Sequence, residues 1–103
     1  MARMLVVYRT PDDRAVFDRH YFGVHVPLAK KLPGLRRYEV SNGSIVPMNA
    51  AKDTYLIATL HFDSVASIQA AFATEIGQAC AADRKALAPD DAVQTFLFED
   101  REA

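Results

Sequence analysis

The stretch Thr54-Tyr-Leu-Ile-Ala-Thr-Leu-His-Phe62 constrains this chain more than any other. A β-branched and aromatic run of this kind reads as a strand. Its side chains alternate, with Leu56, Ala58, Leu60 and Phe62 on an apolar face and Tyr55, Ile57, Thr59 and His61 on a mixed one. Met4–Tyr8 and Val93–Phe98 read as further apolar strands. All three carry apolar residues on both faces, so a sheet built from them needs cover on two sides.

Helical segments lie between these strands. Asp12 or Asp13 is placed to cap a first helix from about Arg14 to Leu32, which Pro33-Gly34 breaks. Leu35 to Ser41 alternates as another strand, with Arg36, Tyr38 and Val40 on one face, and the stretch 44–53 has no clear period and reads as a loop. Asp63-Ser64 caps a helix that buries Val65, Ile68, Phe72 and Ile76. Thr74-Glu75 ahead of Gly77 ends that helix near Ala73 and starts a short one that carries Cys80 to about Leu87. The order strand, helix, strand, strand, helix, strand closes, by right-handed crossovers, into an α+β fold: a four-stranded antiparallel sheet with both helices on one face. The other face is expected to pair with a second copy of the chain. Tyr55, Thr59 and His61 would then line a chamber between two sheets and hold a small apolar or aromatic ligand.

With 103 residues, 50% hydrophobic and 24% charged, the chain reads as one small soluble domain over residues 1–103. A net charge of −1 with scattered Lys and Arg argues against nucleic acid or an anionic membrane as partner, because either needs a concentrated positive face. No apolar run is long enough to span a bilayer and no secretory leader is evident, so a cytoplasmic location is expected. Cys80 is the sole cysteine, which excludes an intrachain disulfide and a Cys-cluster metal site; it reads as a small buried thiol.

Chemistry concentrates in Phe17–Gly34, which holds two of the three histidines beside a proline. Phe17, Tyr21, Val24, Leu28 and Leu32 share one side of a helix. His20 and His25 are five residues apart, roughly 140° around an α-helical axis, and are therefore expected to share neither a metal nor a proton. Pro27 crowds the carbonyl of Gly23 and should kink the helix there. Tyr21 lies one turn before His25, and the two form either an acid/base unit or an amphipathic rim of the core. His25 suits a general base or acid because imidazole titrates near neutrality. Tyr21 and Tyr38 would orient it or hydrogen-bond a developing oxyanion. Arg36, on the strand face of Tyr38, could hold an anionic group. No metal site is expected.

The opening strand ending in Tyr8-Arg-Thr-Pro11 and the segment Phe17…His20-Tyr21…His25-Val-Pro-Leu28 carry a family likeness, together with Leu32-Pro-Gly-Leu35…Tyr38 and Phe72…Glu75-Ile-Gly-Gln78…Ala82-Asp83. Nearly the whole chain resembles the EthD family, named from a protein associated with ethyl tert-butyl ether degradation. The resemblance implies a dimeric α+β barrel of ferredoxin-like βαββαβ topology, a homodimer, and no cofactor. Related barrels act on small aromatic or lactone compounds. In one isomerase a histidine and a tyrosine in the segments corresponding to His25 and Tyr38 line the pocket beside a third-strand cysteine, a position that here is Leu60. The expected function is cofactor-free proton transfer of isomerase, cyclase or dehydratase type on a small aromatic, lactone or ether-derived compound. The alternatives are a non-catalytic small-molecule binding or accessory protein of an oxygenase or degradation pathway, and a cofactor-free oxygenase.

Overall fold

The computed structural model describes residues 1–50 and 53–103, so within the loop expected over 44–53 Ala51 and Lys52 lie outside the described residues. Strands β1 (Ala2–Tyr8), β2 (Arg37–Val40), β3 (Leu56–Phe62) and β4 (Val93–Glu99) form an antiparallel sheet in the order β2-β3-β1-β4. Its register sets Tyr38 opposite Leu60, Leu60 opposite Met4 and Met4 opposite Leu97. Along β1 and β3 the buried residues alternate as the sequence alternates: Ala2, Val6 and Tyr8, and Leu56, Ala58, Leu60 and Phe62, face the helices.

The first helical segment departs from a kinked α-helix. Helix α1 (Arg14–His20) passes into a π turn (Tyr21–His25) and then into α2 (Val26–Ala29). Asp13 caps α1 by accepting from the Val16 amide at 3.1 Å. The π turn resolves the problem that Pro27 poses. The Val26 amide reaches back to the Tyr21 carbonyl, five residues away, and the chain re-enters the α form with Pro27 in the first turn, where no N–H is needed. A π turn is wider than the 3.6-residue α turn, so the buried stripe keeps a spacing of four through it and changes register. It runs Phe17, Tyr21, His25, Ala29, Leu32, while Val24, expected inside, is 52% exposed.

Aromatic packing fixes this segment to the sheet. Tyr21 is fully buried and stacks on Phe17 with ring centroids 5.6 Å apart, and Tyr8 meets both rings edge-on at 5.4 and 5.6 Å. The helix ends at Ala29, short of the Leu32 expected, and turn hydrogen bonds from Lys31 to Leu28 and from Leu32 to Ala29 carry the chain to Pro33-Gly34, with Gly34 at φ 81°, a conformation that favours glycine.

Helices α3 (Val65–Phe72) and α4 (Glu75–Leu87) complete the layer, with the break between them and the end of α4 where the sequence places them. Ser64 caps α3 and Thr74 caps α4, the Thr74 hydroxyl accepting from the Gly77 amide at 3.1 Å and donating to the Ala71 carbonyl at 2.6 Å. This joint is tight: a β-carbon on Gly77 would overlap both the Ala71 carbonyl oxygen and the Phe72 α-carbon.

Helix propensity alone makes Gly→Ala stabilising by about 1 kcal/mol in a helix. At position 77 the added methyl meets backbone that cannot turn aside, so Gly77→Ala is expected to destabilise the fold by about 3 kcal/mol in urea titration. Gly23 has nothing within 4 Å of its would-be β-carbon, and Gly23→Ala should show no such penalty. Equal stability of the two variants would refute the packing of this joint.

Candidate functional site

A cavity of about 220 Å³ lies between the helices and the sheet. Its floor is apolar, with Met4 and Val6 from β1 and Ala58 and Leu60 from β3; Ala29, Leu32 and Phe72 close it from the helical side. Polar groups converge at one end: Tyr8, Tyr21, His25 and Tyr38. An apolar cavity of about 150 Å³ is enough to hold benzene, so this one suits a single substituted ring or a molecule of similar bulk.

The histidine is held by a carboxylate. His25 Nδ1 lies 2.8 Å from Asp83 Oδ2, and His20 Nε2 lies 2.8 Å from Asp83 Oδ1. Burial alone would raise the Asp83 carboxyl, but the hydrogen bonds from the two imidazoles outweigh it and hold the group below the usual carboxylate range. An ionised carboxylate only accepts, so both imidazoles donate to it. His25 is 7% exposed, and burial pushes it below its ordinary pKa despite the opposing pull of Asp83. At neutral pH His25 is therefore uncharged, with its proton on Nδ1 toward Asp83 and Nε2 bare, in a ring that lines the cavity. That is the protonation state of a general base.

His20 and His25, expected to share neither a metal nor a proton, share a carboxylate. The roughly 140° separation holds for an α-helix, whereas the π turn brings residues five apart back to one side, where Asp83 of α4 receives both. Beside them, the Tyr21 and Tyr38 hydroxyls are 2.7 Å apart. One phenol donates to the other, leaving the pair one O–H for a bound molecule. Burial raises both hydroxyls above the ordinary tyrosine value, so both stay protonated at neutral pH. The Tyr21 and His25 rings stack at 5.6 Å.

The structure thus brings together His25, Tyr21 and Tyr38. It does not bring Arg36, Tyr55, Thr59 or His61 to the cavity, which lies under the helices and not on the open face of the sheet. Arg36 is exposed and pairs with Asp63 through two contacts at 2.8 and 3.1 Å. Tyr55 donates to Asp18 at 2.8 Å, just ahead of β3. Thr59 and His61 point to the opposite face, where His61 sits between Arg3 at 2.7 Å and Glu39 at 2.7 Å. Cys80 is buried, lines the cavity, and its thiol is pushed up by that burial. Among the described residues, no three His, Cys, Asp or Glu side chains are grouped to hold a metal ion.

Sequence reasoning gives no role to Asp83, Tyr8 or Arg84. A signal for Asp83 exists: it follows Cys80 by three residues, on the same helical face as that buried thiol, and a carboxylate at such an edge needs a partner.

Three comparisons bear on this geometry. The model of a family described as EthD domain matches residues 9–90. An uncharacterized 11.0 kDa protein in the thcB-thcC intergenic region of Rhodococcus erythropolis is 37% identical over 102 residues, 99% of this chain and 96% of that protein. A crystal structure of an ethyl tert-butyl ether d (EthD) family protein from Bacillus halodurans superposes with a TM-score of 0.87 at 33% identity, covering 98% of this chain and 99% of that one. Two more distant likenesses concern the fold. A mutant form of SnoaB, a cofactor-independent oxygenase from Streptomyces nogalater, superposes with a TM-score of 0.67 at 15% identity, over 99% of this chain and 94% of that one. A dimeric ferredoxin-like protein of unknown function from Jannaschia gives 0.65 at 18%, over 97% and 100%.

The buried imidazole makes a pH-dependent contribution whose sign is fixed. His25 binds a proton less readily in the fold than in the unfolded chain, so stability falls as pH drops below about 6.5, with a limiting slope of about 1.4 kcal/mol per pH unit for one proton. His25→Gln should flatten this dependence in urea titrations between about pH 7 and 5. An unchanged slope in that variant would show that His25 titrates as it does in water.

Proposed function

This chain belongs to the EthD domain family, and from that premise we propose that it is a cofactor-free proton-transfer enzyme acting on a small carbonyl or phenolic compound. The observation that carries this reading is the buried His25, held through Nδ1 by Asp83 and lining an apolar cavity of about 220 Å³.

The steps use this chain's own groups. His25 Nε2 takes a proton from an acidic carbon or hydroxyl of the bound molecule and becomes imidazolium. Asp83 stabilises that charge and fixes the ring, so the bare nitrogen does not rotate away. His20 is a positioning residue: by donating to Asp83 Oδ1 it leaves Oδ2 for His25. The Tyr21–Tyr38 pair donates its remaining O–H to the oxygen on which negative charge develops. In a water-poor site such a donor contributes about 3 kcal/mol to the transition state. His25 then returns the proton at a second atom, which gives an isomerase, or to a leaving group, which gives a lyase or cyclase.

The working unit is proposed to be a homodimer. Leu5, Val7, Ile57, Phe96 and Phe98 lie on the sheet face away from the helices, with Phe96 47% and Phe98 40% exposed. A second sheet covering this face would match the dimeric assembly named for the Jannaschia protein of the same fold. Its role would be to stabilise each subunit, because the cavity is built within one chain.

Mass spectrometry of small molecules that co-purify with the protein supplies candidate substrates. Wild type is expected to exchange a specific proton of one such compound with deuterated water or to convert it, and His25→Ala to lower that rate by about 10²-fold or more. Equal rates in the two proteins would remove His25 from the chemistry. Recovery of the compound unaltered, with no proton exchanged, would point instead to a non-catalytic binding role. In sedimentation, wild type is expected as a dimer and Phe96→Glu as a monomer with the same helical circular dichroism; a monomeric wild type would refute the assembly.

A further inference from the structure

We infer that the mouth of the cavity selects molecules bearing an anionic group, a carboxylate on a one-ring or similarly small apolar body. This rests on the cavity being a ligand site, which the reading above shares, but it does not depend on any proton being moved.

The mouth is located by exposure. Most of the lining is buried, including Val6, Ala29, Leu32, Ala58 and Leu60, whereas Ala81 and Lys85 of α4 and Thr95 of β4 are exposed. The cavity therefore opens between α4 and β4. Two cations, Arg84 and Lys85, belong to its lining, and no carboxylate does. Asp83 lies outside the lining, occupied by His20 and His25.

The two cations differ in how they are held. Arg84 is mostly buried, with 19% of its side chain exposed, and is anchored by donating to the Ala88 carbonyl at 2.9 Å and by its pair with the exposed Asp90. Its charge reaches into the site: burial raises the Tyr8 hydroxyl and lowers His25, and Arg84 works against the first shift and adds a smaller push to the second. Lys85 has no acidic side chain within ion-pair distance among the described residues and reaches solvent from the rim. A fixed guanidinium beside a flexible ammonium, over an apolar floor, fits a molecule whose charged end stays at the mouth while its ring goes inward. Its far end then meets His25 and the Tyr21–Tyr38 pair. Because His25 is uncharged, the base adds no charge that would compete for the anion.

Benzoate and benzamide match in shape and differ in charge. Titrated into wild type at low salt and followed by NMR, benzoate is expected to bind about tenfold more tightly than benzamide, which corresponds to about 1.4 kcal/mol. Its shifts should fall on cavity residues including Tyr38 and Leu60. The preference should shrink at least threefold in Lys85→Gln, and again in roughly 1 M salt, where screening falls to about 3 Å. Arg84→Gln loosens the turn that Arg84 ties to Ala88, so the exposed Lys85 provides the decisive variant. Benzoate binding no tighter than benzamide, absence of binding by either, or a preference unmoved by both Lys85→Gln and salt would overturn the inference. Since no turnover is read, an intact preference in a protein whose His25→Ala variant works normally would sink the proton-transfer reading and leave this one standing.

Discussion

Asp83 can receive two imidazoles only because the helix carrying them is locally widened. In a regular α-helix His20 and His25 would diverge, and one of them would leave the carboxylate. The π turn over Tyr21–His25 removes that divergence and also turns His25 into the core in place of Val24. Its sequence cause is Pro27, which cannot continue an α-helical hydrogen-bond ladder and crowds the turn before it. One proline thus sets the backbone, the backbone sets the register, and the register places the base against its carboxylate.

That arrangement also explains where the cavity lies. The aromatic cluster of Tyr8, Phe17 and Tyr21 holds the start of the segment down on β1, and Leu32 holds its end. Between them the sheet presents small or unbranched side chains, Ala58 and Met4, so space remains beneath the π turn. The open face of the sheet has a different character. At one end of it Arg3 bridges His61 and Asp100, and Glu39 reaches His61, so both nitrogens of the His61 ring are already engaged.

The strands and their faces were legible because alternation has a fixed period of two and any shift would expose an apolar row. Leu56 to Phe62 is an example: every buried position there is one the alternation marks. The helix starts were legible for a similar local reason: Asp12 or Asp13, Asp63-Ser64 and Thr74-Glu75 mark them in the sequence, and the structure caps with Asp13, Ser64 and Thr74. Within the site, His25, Tyr21 and Tyr38 could be picked out by residue type and place. Asp83 could not be joined to them, because its meeting with His25 spans 58 positions and depends on a helical register that periodicity assumes to be constant. Thr59 and His61 fell on the wrong side for another reason. A mixed strand face reads as the wall of a chamber, whereas the sheet's other, greasier face borders the cavity.

The site depends most on His25 donating from Nδ1 to the same carboxylate that His20 holds. Long-range ¹H–¹⁵N correlation spectra of the imidazole rings at neutral pH report this directly. The expected result is a neutral His25 protonated on Nδ1 and bare on Nε2, with the signals of both His20 and His25 moving together in Asp83→Asn. A His25 protonated on Nε2, or a His20 signal indifferent to Asp83→Asn, would contradict it.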